Sequence, residues 1–302
     1  MTVALYVKVF DGIVLAADSA TTMKLDTPNG TVYQVYNNAD KIFHLHRRLP
    51  VAGMTWGMGR VGPASISSLS KSLRLQLMGR DPGYSEEPLD IDNFTVKDVA
   101  ERASRMFARA AADAKITSWP DLPDDPLGYL VSGISSDCDQ AEAWLLMFQG
   151  KEMEPEPQQI LNDGSYGFQP FAQPAAVNRL FNGYDDNLYE ALITNTTVAK
   201  VQASTAQNPV DPVKARKEAE AEVDAWLRPL RVDPVPPAMP LPDAIDLARF
   251  MVETTEGYAR YGFGPDTVGG QVEVASISPH EGFKWINRKH YFTPALNPGE
   301  QP

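Results

Sequence analysis

Apolar and β-branched residues come in short runs along the first sixty positions, and each run ends in a turn signal. Residues 2–10 (TVALYVKVF) alternate loosely and read as a strand. Asp11-Gly12 is a hairpin turn pair, and residues 13–18 supply the returning strand. A polar loop over 23–40 separates this hairpin from two further predicted strands, at 41–45 and 50–56. Helical patterns follow over 63–78 and 96–114, the second opened by Thr95 as an N-cap. Strands return at 128–134 and 142–149, joined by a polar turn holding Asp137 and Asp139, and residues 177–193 are predicted to be helical.

From 197 to 240 the composition shifts. A polar stretch leads into a helix-prone one (KARKEAEAEVDAWLRPL) and then into an extended, proline-rich return (VDPVPPAMPLP). In the middle part Ala219, Val223, Trp226, Leu227 and Leu230 fall near one helical face, so that helix is expected to pack on something. A further helix over 242–261 and a closing hairpin, 269–278 with 283–286, complete the pattern. Strands, two helices, strands, helices, strands is an order that points to two stacked antiparallel sheets covered by helices rather than a βαβ parallel sheet. No repeat of fixed period is visible.

Composition narrows the function. At 302 residues, 43% hydrophobic and 22% charged, the chain can bury a large core as one elaborated domain with an insertion at about 197–240. A net charge of −12 argues against a phosphate-tracking surface, so nucleic acid is not an expected partner. The apolar runs are too short to span a bilayer and no secretory leader is evident, so a cytoplasmic protein is expected. The single cysteine, Cys138, excludes an intrachain disulfide, fits a reducing compartment and takes no assigned role. There is no CxxC pair, HExxH or P-loop, so no cofactor or metal is expected. His44 and His46 share a strand face, but without further ligands they read as a solvated strand end beside Arg47 and Arg48.

One constellation stands out. Thr2 opens the first strand, DGIVLAADSATT (11–22) carries an Asp-Ser pair, Asp18-Ser19, and KIFHL places Lys41 at the start of a strand. AGMTWGMGRVG (52–62) is a glycine-rich turn into the first helix, and PDAIDLARFMVETTEGYARYGFGPDTVGGQVEVASI (242–277) runs from a helix through an aspartate-containing loop and Gly-Gly to a strand. In these segments the chain resembles N-terminal-nucleophile hydrolases of the proteasome β-subunit type. The resemblance covers 2–70 well, 128–150 in pattern and 242–290 moderately, with no counterpart for 197–240. It implies an α+β fold, a four-layer αββα sandwich of two antiparallel sheets flanked by helices. It also implies Thr2 as nucleophile, Asp18 and Lys41 as its charged partners, Gly57 as oxyanion donor and Asp266 as a supporting acid. Thr55 and Gly59 would line the pocket for the residue before the scissile bond. The implied protein is a threonine peptidase in a homo-oligomeric ring, acting on peptides or unfolded proteins, and whether an ATPase partner feeds it is unreadable. An amidase cleaving a small acyl amide and an inactive structural ring subunit share the same sequence features.

The chemistry of these residue types fits that resemblance. A threonine hydroxyl is a weak nucleophile and needs an adjacent base. Removal of Met1, expected because threonine is small enough for methionine aminopeptidase to act before it, frees an α-amine. The reference pKa of such an amine is about 7.7–8.0, against about 10.4 for a lysine. A lysine ammonium nearby disfavours the charged amine and stabilises negative charge growing on the threonine oxygen. An aspartate would orient and balance that lysine. The sequence departs from the family in three places. Ala20 stands where an arginine usually follows Asp-Ser. Asp266 matches the supporting aspartate only with a one-residue gap, which puts Val268 at the serine position. The remaining serine has only Ser165, in DGSYG, as a poorly aligned counterpart.

Overall fold

The computed structural model describes residues 2–28, 30–81, 86–121, 126–162, 164–203, 211–262 and 268–290. The elements in chain order are β1 Ala4–Val9, β2 Gly12–Ala17, β3 Thr21–Thr27, β4 Gly30–Tyr36, β5 Ile42–His44, β6 Val51–Trp56, β7 Arg60–Val61 and β8 Ala64–Ser65. Helices α1 Ile66–Leu77 and α2 Val96–Asp113 follow, then β9 Leu127–Gly133, β10 Glu142–Phe148, β11 Gln158–Ile160 and β12 Gly167–Phe171. Helices α3 Ala175–Phe181, α4 Asp186–Gln202, α5 Pro212–Leu227 and α6 Leu241–Arg260 precede the closing strands β13 Glu273–Ser278 and β14 Gly282–Asn287. The chain divides into two compact units, Met1–Gln173 with Val235–Pro302, and Pro174–Pro234.

The larger unit is mixed α+β. One antiparallel sheet has the order β12-β1-β2-β13-β14, and a second has the order β11-β10-β9-β6-β5. β1 and β2 are buried at every position, which is why their sequences read as nearly continuous apolar runs. Ala4, Tyr6, Ile13 and Leu15 from the first sheet share one core with Ile42, Met54, Trp56 and Leu130 from the second. A second core joins Tyr129, Val131, Leu146 and Phe148 of the second sheet to Leu73 of α1 and to Val99, Ala103 and Phe107 of α2. Each large side chain so buried contributes about 1.5–3 kcal/mol. Helix α6 packs against β1, β2 and β13.

Local signals set the element ends. α1 begins at Ile66 rather than at 63, because Ser65 is the N-cap and its hydroxyl accepts from the Ser68 N–H at 3.1 Å. α2 carries the full capping box between Thr95 and Asp98. Gly12, at φ +151°, must be glycine for another reason: a Cβ there would lie 2.2 Å from the Ile277 carbonyl oxygen of β13.

Three expectations need correction. The polar loop over 23–40 holds a two-stranded hairpin, β3 with β4, in which Thr21 faces Tyr36. The helix expected over 177–193 is two helices, broken at Gly183 (φ +80°) and restarted by the Asp185 N-cap. Strands β11 and β12 were not foreseen. In the smaller unit Ala219, Val223 and Leu227 of α5 pack with Tyr184 and Ile193, but Trp226 and Leu230 are 53% exposed and lie off the buried stripe. Among the described residues, no helix is long and apolar enough to cross a membrane.

Candidate active site

The β1–β2 pairing brings residue 18 back beside residues 2 and 3. Past the last ladder pair, the Asp18 N–H donates to the Val3 carbonyl at 3.2 Å, and the Val3 N–H donates to Asp18 Oδ1 at 3.0 Å. Asp18 Oδ2 accepts from the Ala20 N–H at 3.0 Å and from the Gly269 N–H at 3.1 Å. The carboxylate has no exposed surface, so these three backbone donors and one cation replace its water.

Lys41 supplies the cation. It sits immediately before β5, is buried, and its ammonium pairs with Asp18 Oδ1 while donating to Thr2 Oγ1 at 2.8 Å. Burial holds its pKa below the ordinary lysine value, and the Asp18 charge opposes that shift. Thr2 is itself buried at 5% exposure and faces a cavity of about 290 Å³. Lys41, Thr55, Gly57 and Gly59 line the same cavity.

The remaining predicted residues fall into place unevenly. Gly57 follows β6 at φ +77°, a left-handed backbone open to glycine at little strain. Thr55 lines the cavity, yet its hydroxyl is committed to the Gly128 carbonyl at 3.1 Å and its N–H to the Lys41 carbonyl at 2.9 Å. At Gly59 a Cβ would come within 3.2 Å of Thr21 Oγ1, so these two positions narrow one side of the cavity. Asp266 lies outside the described residues. Val268 is buried, and Ser165 is exposed in the turn before β12 and does not line the cavity.

The two histidines are not a solvated strand end. His44 stacks on Phe283 with ring centroids 4.2 Å apart and contacts the Leu49 carbonyl, and His46 is 5% exposed with Nδ1 accepting from the Arg48 N–H. Burial holds both imidazoles below their usual pKa. Among the described residues, no three His, Cys, Asp or Glu side chains are grouped to hold a metal ion.

Two charged residues behind the Asp18–Lys41 pair escaped the sequence reading: Glu273, the first residue of β13, and Lys289, just past β14. Glu273 could have been noticed as the lone charge in the run VEVASI. Nothing local marks Lys289.

No family model matches the chain, and no curated protein matches it. Among solved structures the chain is similar to an Anbu (Gly-1) mutant from Hyphomicrobium sp. strain MC1. The identity is 12% and the TM-score 0.48, over 96% of this chain and 86% of that one. A likeness at that level fixes neither family nor activity.

Proposed function

We propose that this chain is an N-terminal threonine hydrolase, cleaving peptide bonds, on a four-layer αββα fold of the proteasome β-subunit type. One observation carries the reading: a buried lysine ammonium donates to Thr2 Oγ1 at 2.8 Å while paired with a fully buried aspartate, at the wall of a cavity. A solvated lysine on a strand face would support no such role.

In the proposed reaction Met1 has been removed and the nitrogen of Thr2 is a free amine. Thr2 Oγ bonds to the substrate carbonyl carbon as its proton passes to that amine. The carbonyl electron pair becomes an oxyanion, for which the Gly57 N–H is the candidate donor. Collapse of the intermediate expels the leaving amine with the transferred proton and leaves an ester on Thr2. Water, giving its proton to the same α-amine, then releases the acid and restores the hydroxyl. Lys41 stabilises charge growing on Oγ and keeps the neighbouring amine neutral, and Asp18 holds Lys41 in place. Asp266 is kept as a candidate supporting acid, and a homo-oligomeric ring is part of the proposal.

The test begins with an intact mass, which should lack Met1. A peptide epoxyketone, which reacts with both the hydroxyl and a free α-amine, should then modify residue 2, as read by peptide mapping. Retention of Met1, or its loss with no adduct on Thr2, refutes the hydrolase. Adduct formation with no cleavage of casein or short fluorogenic peptides would move the substrate to a small acyl amide.

A further inference from the structure

We propose that Glu273 and Lys289 are positioning residues for Lys41: a buried pair, brought by the closing hairpin, that fixes both segments of the Asp18–Lys41 contact and places opposed charges behind the ammonium. This rests on the reading of Lys41 as the group that acts on Thr2.

Glu273 is 1% exposed and stands opposite Ala17 in the β2–β13 register, one residue before Asp18. One carboxylate oxygen accepts the backbone N–H of Lys41 at 3.3 Å, and the other lies 3.5 Å from the Lys289 ammonium. That ammonium, on a side chain 10% exposed, donates to Ser19 Oγ at 2.9 Å and to the Ala39 carbonyl. Ser19 Oγ donates onward to the Gln271 carbonyl, while the Ser19 N–H meets the Gly269 carbonyl at 3.0 Å and the Ala39 N–H meets the Ser19 carbonyl at 2.9 Å. Two side chains thus tie together residues 18–20, 39–41 and 269–273. Those segments carry Asp18, Lys41 and the Gly269 N–H that holds Asp18.

Packing alone does not account for charges at this place. A buried ion pair costs desolvation that a well-packed apolar pair of similar volume avoids. Asp18 with Lys41 and Glu273 with Lys289 instead make two buried charge pairs, joined where Glu273 accepts the Lys41 N–H. The second pair continues outward through Asp40, 3.9 Å from Lys289, to the half-exposed Lys71, 3.2 Å from Asp40. Burial raises the Glu273 pKa, against the opposing effects of Lys289 and the Lys41 N–H, while Asp40 adds to the rise. On Lys41 the two members of the pair act with opposite sign: Lys289 lowers its proton affinity and Glu273 raises it. A scaffold role predicts damage of one kind from losing either residue. A tuning role predicts opposite shifts.

The experiment uses the full chain with ¹³Cε-labelled lysine, the Lys41 signal being assigned with Lys41→Met. The titration midpoint of Lys41 should rise in Lys289→Met, fall in Glu273→Gln, and stay near wild type in Lys289→Arg. Shifts of the same sign, or no shift in folded variants, overturn the proposal without touching the hydrolase reading. Should a single variant not fold, Glu273→Leu with Lys289→Met removes both charges, so that neither is left buried without the other, and only the Lys41 N–H loses its acceptor. That double variant should fold but modify Thr2 with the epoxyketone at least about tenfold more slowly, with a displaced pH profile. A wild-type rate and profile in the double variant overturns the proposal. A wild type that takes no adduct refutes the hydrolase reading instead, and the lysine titration still decides the tuning role.

Discussion

Replacing Lys41 with methionine keeps most of the alkyl stem and removes the ammonium, so it separates charge from packing. The ammonium donates to Thr2 Oγ1 at 2.8 Å from a site 4% exposed, where bulk water screens it little. Loss of one electrostatic contact to a transition state of this kind is worth about 2.7–4 kcal/mol, or roughly 10²–10³ in rate. Stability should move less. Breaking a buried pair typically costs about 3–5 kcal/mol because a charge is left without a partner. Asp18, however, keeps its donors from Val3, Ala20 and Gly269, and the cost of burying the ammonium disappears. A stability loss of about 1–2 kcal/mol follows, measurable by urea unfolding, with turnover of a Thr2-dependent substrate as the kinetic assay. Asp18→Asn reverses the balance, since it leaves the Lys41 ammonium buried with no anion in contact and should cost the fuller about 3–5 kcal/mol. Equal turnover by Lys41→Met and wild type would falsify the assignment of the lysine.

Glu273 makes stability depend on pH. Its folded pKa lies above the ordinary 4.5, so between 4.5 and that raised value the folded state binds more protons than the unfolded chain. Stability should therefore fall as pH climbs through that window, and Glu273→Gln should lack the decline in denaturant titrations run at successive pH values. Gly57→Ala forces a side chain onto a backbone at φ +77°, at about 1–2 kcal/mol, and moves the candidate oxyanion donor. We expect activity to fall at least about tenfold with only a few degrees lost in Tm; full activity would remove Gly57 from the site. Gly12→Ala drives a Cβ to 2.2 Å from the Ile277 carbonyl, so it should destabilise by more than about 2 kcal/mol and give mostly insoluble protein. Normal expression and melting would show that β13 can shift.

Much of the fold was legible because burial writes itself into sequence. The runs of β1, β2, β6 and β9 are apolar at almost every position, and they are buried at every position. The β3–β4 hairpin left no such trace. Thr31, Val32, Gln34 and Tyr36 are all exposed, so no core demanded alternation there and the segment read as a loop. The α3–α4 break was signalled by Asn182-Gly183 and the Asp185 cap, but the apolar positions on either side masked it. At the site, Thr2, Asp18 and Lys41 could be brought together from sequence because the segments that carry them resemble those of a known family in order and spacing. Glu273 and Lys289 could not, since their partners lie more than 200 residues earlier, and only the β2–β13 pairing brings them there.

That pairing also sets a schedule. The first strand of the chain is not an edge: β12, contributed by residues 167–171, covers one side of it, and β13 lies across β2 from it. Asp18 receives its third backbone donor from Gly269, and the Lys41 N–H receives its acceptor from Glu273. Gly269 and Glu273 lie more than 200 residues after the Asp18 and Lys41 segments that they hold, so a chain truncated before Gly269 leaves that pair without them. Long-range pairings of this kind form slowly, because the intervening chain must be closed before the contact stabilises anything. The Asp18–Lys41 contact beside Thr2 is thus complete only once two segments far apart in the sequence have met.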